Sequence, residues 1–149
     1  MIDIENLVID TMANGIHDVY ANLPVTRGYI EENAAYPCLV IREVNNEPVQ
    51  RMDTDDCAEN YSRVTYQIDV YSSKEGTARS ECRELIKLAD GIMQGMKFRR
   101  TFLSEPRLTN RAVFRQYARY TAIVAKGVTT VTGEGDNAVE TTTFHMYRR

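Results

Sequence analysis

The sequence predicts an α+β protein, with a mostly antiparallel sheet and two main helices packed on one face. The predicted order is α-β-(β)-β-α-β-β followed by a C-terminal β-hairpin. In residues 63–71 every second side chain is apolar, as in a strand with one buried and one wet face. In residues 78–96 the apolar spacing becomes three and four, as in an amphipathic helix. Because a sheet with one apolar face needs a cover, we expect this helix to lie on it.

The chain opens with another helical pattern. The carboxylate of Asp3 is placed to cap this helix. The pair Leu23-Pro24 is expected to end it, because the residue before a proline avoids the helical conformation. His17 lies at the edge of the apolar stripe without another ligand nearby, so we interpret it as structural or solvated. The stripe comprises Ile4, Leu7, Val8, Met12, Ile16, Val19, Tyr20 and Leu23.

Further strands are predicted on both sides of the second helix. Residues 36–44 are aliphatic and β-branched, and residues 49–52 supply the short strand written in parentheses above. Residues 97–103 carry the charges that protect an edge strand from stray pairing. Residues 112–125 alternate again, and we expect them to pair with residues 63–71.

Two turns complete the predicted architecture. Asn45-Asn46 favours the first turn. The sequence GEGDNA separates two threonine- and valine-rich segments, residues 128–132 and 139–146, and therefore predicts a hairpin. We expect residues 1–126 to form a single α+β domain. Residues 127–149 are then a hairpin or arm that either belongs to this domain or projects to a neighbour.

The composition is ordinary for a globular protein, with 43% hydrophobic and 26% charged residues. No run of about 18 apolar residues is present, so no membrane span is expected. The acidic, amphipathic start differs from a secretory signal. The three cysteines, Cys38, Cys57 and Cys82, form no CxxC pair, which is typical of reduced thiols in a reducing compartment.

Charge is unevenly distributed although the net charge is only −3. Residues 1–60 hold 12 acidic and 3 basic residues, whereas residues 97–149 hold 10 basic and 4 acidic residues. Two interpretations remain open. The two ends could meet head to tail in an assembly, since a heterologous contact joins two different patches. They could equally pack on each other within one subunit, because charge patterning constrains association more than fold.

Motifs for catalysis or cofactor binding are absent from the sequence. There is no glycine-rich phosphate loop, no GxSxG elbow and no HExxH pair. The two histidines, His17 and His145, provide too little material for a catalytic triad or a metal cluster. We therefore expect no catalytic residues, no cofactor, no metal and no enzymatic activity.

A basic segment, residues 97–126, has Glu105 as its only acidic residue. Within it Arg115, Tyr117 and Arg119 alternate on one strand face and could stack on a base or bind phosphate. The other interpretation is that this face meets water or acidic groups of a neighbouring subunit. We favour the second, because the whole chain is acidic and shows no nucleic-acid reader motif. The candidate subunit-interface residues are Arg115, Tyr117, Arg119, Arg99 and Arg100.

An acidic segment precedes the central strand, at residues 53–59. Its spacing is similar to the start of a calcium loop, but the required glycine and distal glutamate are missing. We interpret it as a solvated loop or as a loop held by neighbours in an oligomer. Its carboxylates belong to Asp53, Asp55, Asp56 and Glu59.

Several extended segments resemble the tail terminator or head–tail joining proteins of long-tailed bacteriophages, which are often labelled minor capsid proteins. The segments are MIDIENLVID, YPCLVIREVNNEPVQR, YSRVTYQIDVYSS, SECRELIKLADGIM, FRRTF and RQYARYTAIV, with YRR at the end. They cover roughly residues 1–126 in collinear order and the last few residues. Residues 128–146 are longer than the corresponding part of that family.

The resemblance implies a structural role in the virion. It implies an α+β fold and a homo-oligomeric ring, usually a hexamer, that caps the tail tube, stops its polymerisation and docks the head connector. The implied partners are the tail tube protein, a head-completion or connector protein, and DNA in transit, with assembly in the bacterial cytoplasm and no membrane. Alternatives are a head–tail connector component of another layer and a small nucleic-acid-binding module that uses residues 97–126.

The ring has a physical consequence for the charged segments. A ring through which DNA slides should not hold phosphate, because each neutralised phosphate adds affinity. We therefore expect residues 53–59 to line the lumen and the basic strand face to contact the adjoining subunit. Reversing Arg115 and Arg119 to Glu is expected to prevent ring formation and to leave the subunit folded.

Overall fold

The computed structural model describes residues 1–32, 34–49, 60–106, 112–132 and 139–147. It confirms the predicted α+β class, with two helices and a mostly antiparallel sheet. The helices are α1 (Glu5–His17) and α2 (Ala78–Gly95). The strands are β1 (Val25–Arg27), β2 (Cys38–Pro48), β3 (Tyr61–Ser72), β4 (Arg99–Ser104), β5 (Phe114–Thr132) and β6 (Val139–Tyr147).

The six strands of the described ranges form one sheet in the order β1-β2-β3-β5-β4, with β6 also paired to β5. Only the short β1–β2 pair is parallel. The central pair joins β3 to β5 from Tyr61↔Ala125 to Ser72↔Phe114, which confirms the predicted pairing of residues 63–71 with residues 112–125. β4 and β6 lie end to end along the other edge of β5, because β4 pairs with its first half and β6 with its second.

Both helices pack on one face of this sheet. Their buried side chains share one hydrophobic cluster with alternate residues of the central strands, from Val64 to Val70 on β3 and from Ala118 to Val124 on β5. The approach between the helices is close at Gly15. A β-carbon placed there would lie 2.6 Å from Cδ1 and 2.9 Å from Cγ1 of Ile92. Gly15 therefore sets the distance between α1 and α2.

The end of α2 places β4 beside the sheet. Lys97 has a left-handed conformation with φ of 69°. The Lys97 amide donates to the carbonyl of Gln94, and the Phe98 amide donates to the carbonyl of Met93, as in a Schellman motif. The turn buries Phe98 edge-on against Tyr66, with ring centroids 5.8 Å apart. β4 begins at the next residue, so this motif fixes the position of the edge strand.

The first helix is shorter than predicted. It ends at His17, six residues before Leu23, and the predicted stripe residues Leu7 and Val19 are exposed. Leu23 is nevertheless buried in the core. The apolar pattern extends past the helix because the following residues also contribute to the core. Periodicity alone cannot distinguish a longer helix from a helix followed by such a segment. The Nε2 group of His17 donates to the carbonyl of Leu23 at 2.9 Å and ties this connection to the helix end.

Two other boundaries differ from the prediction. β2 continues through Asn45-Asn46, where a turn was expected; a register shift between Glu43 and Asn45 absorbs the irregularity. The side chain of Asn46 donates to the carbonyl of Ile2 at 2.9 Å and accepts from Ser62 at 2.6 Å, so it supports the strand. The predicted hairpin is confirmed, since residues 128–132 pair antiparallel with residues 139–143, but its first arm is the end of β5 and not a separate strand. Residues 50–52 of the short strand in parentheses lie outside the described residues.

A candidate binding surface on the open face of the sheet

The sheet face opposite the helices is the candidate site. Within the described ranges neither helix packs on it, and we call it the open face. It includes the side chains that alternate with core residues on the two central strands, together with two side chains of the edge strand. These are Thr65, Gln67, Asp69 and Tyr71 of β3, Arg115, Tyr117, Arg119 and Thr121 of β5, and Arg99 and Phe102 of β4.

A continuous polar network runs through this face. Arg115 donates to Oδ1 of Asp69 through Nε at 2.8 Å and also through Nη2. The amide nitrogen of Gln67 donates to the same carboxylate at 3.1 Å, and Nε of Arg119 donates to Oε1 of Gln67 at 2.9 Å. Gln67 and Asp69 are only 1% and 3% exposed. The network therefore links the two arginines through side chains that water hardly reaches.

Burial of a carboxylate is costly unless a cation and hydrogen bonds compensate it. Arg115 provides both for Asp69. Burial disfavours the charged guanidinium, but the hydrogen bonds and charge of Asp69 outweigh it and raise the pKa of Arg115. Burial, followed by the nearby charge of Asp69, raises the pKa of Tyr71 as well. Both groups therefore keep their protonated forms at neutral pH.

Aromatic rings and guanidinium groups alternate above this network. The Arg115 guanidinium lies over the ring of Tyr71 at 5.7 Å and over that of Tyr117 at 5.0 Å. The rings of Tyr117 and Phe102 are 5.6 Å apart, and Arg119 lies over Phe102 at 5.9 Å. Such contacts hold a guanidinium in place because the ring face is electron-rich. We call Tyr71, Arg115, Tyr117, Phe102 and Arg119 the aromatic–arginine ladder.

The two arginines of the ladder differ in the charge they present. Arg115 is part-buried and is neutralised by Asp69. Arg119 is exposed and its partner, Gln67, is a neutral amide, so its positive charge is not compensated by any carboxylate of the described residues. Phe102 beside it is 46% exposed. The ladder therefore offers an oriented cation next to an exposed aromatic ring, which is suited to an anionic group with an apolar neighbour.

Four of the five predicted interface residues lie on this face. Arg115, Tyr117 and Arg119 come from β5, and Arg99 stands beside Thr121 on β4. Arg100 follows Arg99 on the same strand and therefore points to the helix side, where it forms an ion pair with Asp90 of α2 at 3.2 Å. The interface role of all five residues stays a prediction. The carboxylates of Asp53, Asp55, Asp56 and Glu59 lie outside the described residues.

Sequence reasoning missed Gln67, Asp69 and Phe102. Both polar residues alternate with the core residues of β3, as predicted, but the expectation that their face is wet is wrong at these two positions, because neighbouring side chains bury them. The signal was present in the register: once β3 and β5 are aligned, Asp69 lies beside Tyr117 and diagonal to Arg115. Phe102 could be found only by placing the edge strand opposite Arg119.

The two cysteines of the described residues are buried, Cys82 in the core and Cys38 beside Tyr71 on the open-face side of β2. Burial raises the pKa of Cys38 to about 11 and that of Cys82 to about 12. The Cys82 thiol donates to the carbonyls of Val70 and Phe114, both at 3.7 Å. In the part of the chain that the structure describes, no three His, Cys, Asp or Glu side chains are grouped to hold a metal. Neither described helix has the length and hydropathy needed to cross a membrane.

Comparison with known proteins adds an identification to this geometry. A family model described as tail completion protein gp17 matches residues 16–131, which include α2 and nearly all of the central pair of strands. No curated protein matches the chain. The matched region covers well over half of the sequence and contains the whole aromatic–arginine ladder. The chain therefore belongs to the tail completion protein gp17 family and is a structural protein of the bacteriophage tail.

Proposed function

We propose that this chain forms a closed ring of its own copies, six in number as the resemblance to tail terminators implies, at the head-proximal end of the tail. The ring caps the tail tube, stops its polymerisation and docks the head connector. DNA passes through it during packaging and ejection. Its partners are thus a second copy of itself, the tail tube protein and a head-completion or connector protein, and its location is the head–tail junction of the virion.

The observation that carries this proposal is the exposed part of the open face, at Phe102 and Arg119. A single subunit packs two helices on one face of its sheet. On the other face Phe102 is exposed, and no carboxylate of the described residues pairs with Arg119. Both groups are held in fixed positions by the ladder and the network beneath it. Interfaces are enriched in aromatic residues and arginine, and a preordered side chain loses little entropy on binding. The open face therefore has the character of an interface between subunits.

Phe102 gives the direct test of this role. It is exposed and lies on an edge strand, so Phe102→Ser should leave the subunit folded and weaken self-association by about tenfold or more. Tyr29→Ser is the matched control, because Tyr29 is a more exposed aromatic that lies outside the ladder. Sedimentation velocity over a concentration series measures the association. Equal association of Phe102→Ser, Tyr29→Ser and the unchanged protein would contradict the proposed interface.

One observation favours a second candidate function. The rings and guanidinium groups of the aromatic–arginine ladder could also stack on the bases of a single-stranded nucleic acid. Arg115 counts against it, because Asp69 already neutralises its charge. Binding of short DNA, single-stranded and duplex, in a salt series distinguishes the two. Affinity at physiological salt that falls steeply as salt rises would favour the nucleic-acid module.

The place of residues 53–59 in the ring stays a prediction. Their carboxylates lie outside the described residues, and the proposal that they line the lumen rests on charge alone. It requires that neutral substitutions of all four carboxylates leave ring formation unchanged and slow DNA passage. Assembly and ejection are measured separately, so a defect in assembly would remove the lumen assignment without affecting the open face.

A further inference from the structure

We propose that the open face of one subunit receives helix α1 of the next subunit, with Arg119 opposite Asp10 and Phe102 beside Leu7. The inference rests on the proposed ring and specifies its repeating contact. A helix laid on the exposed part of this face, at Phe102 and Arg119, adds a layer of the kind that the two helices already provide on the other face.

The outward side of α1 has the required charge. The helix spans 13 residues and contains no lysine or arginine. Val8, Met12 and Ile16 face the core, so Asp10 lies near the middle of the opposite side, where it is exposed. Within the described residues Asp10 has no ion-pair partner. It is therefore available to an arginine from outside the subunit.

The outward side of α2 lacks this complementarity. It carries Arg79, Arg83 and Lys87 together with Glu84, so its charge is mixed and more basic than acidic. Arg79 is already paired with Glu105 at 3.2 Å. Because Arg119 on the open face has no carboxylate partner in the described ranges, a basic helix face would be repelled. Of the two helices, only α1 offers an acidic surface.

The spacing of groups on the two surfaces also agrees. On the open face Phe102 and the guanidinium of Arg119 are 5.9 Å apart. On α1, Leu7 is 41% exposed and stands three residues before Asp10. Side chains at that helical spacing have β-carbons about 5–6 Å apart. Each surface thus presents one apolar side chain and one charge at similar separation, and the charges have opposite sign.

The two surfaces lie on different sides of the subunit. Helix α1 packs on the covered side of the sheet, and the ladder lies on the other side. A contact between them joins unlike patches, so it is heterologous and repeats from copy to copy. Such a contact gives a ring when its rotation closes, which agrees with the opposite charges of residues 1–60 and 97–149.

A charge exchange tests the pairing. Asp10→Arg and Arg119→Glu should each weaken self-association by about tenfold or more, because each places like charges opposite one another. The double variant restores opposite signs and should associate within about threefold of the unchanged protein. Glu84→Arg, a reversal of the same kind on α2, is the control and should have little effect. Circular dichroism confirms that each variant is folded.

Disulfide cross-linking tests the same contact without reversing a charge, so it remains informative if a charged variant fails to fold. With Cys57 replaced by Ser, the variant Leu7→Cys/Phe102→Cys should form a ladder of disulfide-linked oligomers on mild oxidation. The two positions lie on opposite sides of one subunit, so the bond can join only different copies. Monomer on the non-reducing gel would overturn the pairing.

The outcomes separate this inference from the ring itself. Suppose that the unchanged protein assembles. If the single charge variants assemble equally well, or if the double variant is no better than they are, the α1 contact is wrong and the ring is unaffected. Unchanged protein that never assembles would overturn both. Restoration in the double variant together with cross-linking supports the contact.

Discussion

Arg115→Met should destabilise the subunit far more than an arginine substitution at the surface. The side chain of Asp69 is 4% exposed and that of Arg115 is 23% exposed. Removal of the guanidinium leaves a buried carboxylate whose remaining donor among the described residues is the Gln67 amide, at 3.1 Å. Loss of one partner from a buried pair costs about 3–5 kcal/mol. Because Met retains the length of the side chain, most of this loss comes from the charge and not from packing.

The opposite substitution should cost less. Asp69→Asn leaves Arg115 without an anion, but nearly a quarter of that side chain already reaches water. The asparagine oxygen can still accept from the arginine. We expect a loss of about 1–2 kcal/mol, which is typical of a charged hydrogen bond replaced by a neutral one. The asymmetry between the two substitutions is the specific signature of a buried anion held by a partly exposed cation.

Arg63→Met is the matched control on the same sheet. Arg63 donates to Glu47 at 3.0 Å, and their side chains are 40% and 48% exposed. Exposed pairs contribute about 1 kcal/mol or less. Urea unfolding followed by circular dichroism, at a concentration where the protein is monomeric, measures all three variants. Equal losses below about 1 kcal/mol for Arg115→Met and Arg63→Met would refute the structural role of the network.

Three further predictions follow from single contacts. Gly15→Ala should destabilise the fold by about 1 kcal/mol, because the new methyl group overpacks against Ile92. In the background of Ile92→Ala the same substitution should be stabilising. Thermal unfolding measures both, and additive effects would contradict the close approach of the helices. Lys97→Gly should stabilise the fold by about 1 kcal/mol, because glycine adopts the left-handed conformation of this position without strain. A lower stability of the variant in urea would contradict this. In a Cys57→Ser variant, the thiols of Cys38 and Cys82 should resist alkylation. The free energy of unfolding should also decline above about pH 9, because the thiols of the unfolded chain release protons that the folded chain retains. Rapid labelling of the native protein, or no alkaline decline, would contradict that prediction.

The sequence was most informative where periodicity and burial agree. The alternation of residues 63–71 and 112–125 gave the central pair of strands, and the stripe of α2 gave the helix that covers them. Periodicity was misleading where apolar residues after a helix still enter the core, as Leu23 does beyond the end of α1. It also could not show β1, because three residues are too few to establish a period.

The candidate site was predicted only in part, for a physical reason. Arginine and tyrosine alternation identified the face that β5 presents. Whether an arginine there is neutralised or keeps its charge depends on the residue diagonal to it on the next strand, which requires the register. Arg115 and Arg119 have the same pattern in the sequence and different partners in the fold. The joint reversal of both to Glu would therefore place a new anion beside buried Asp69 as well as change the surface.

The mass of the native particle is the decisive measurement for ring formation. Native mass spectrometry and electron microscopy of the purified protein, alone at high concentration and with tail tube protein, show whether copies join through their faces. We expect closed rings of one size that sit on the end of the tube. A subunit that remains single under every one of these conditions would contradict it.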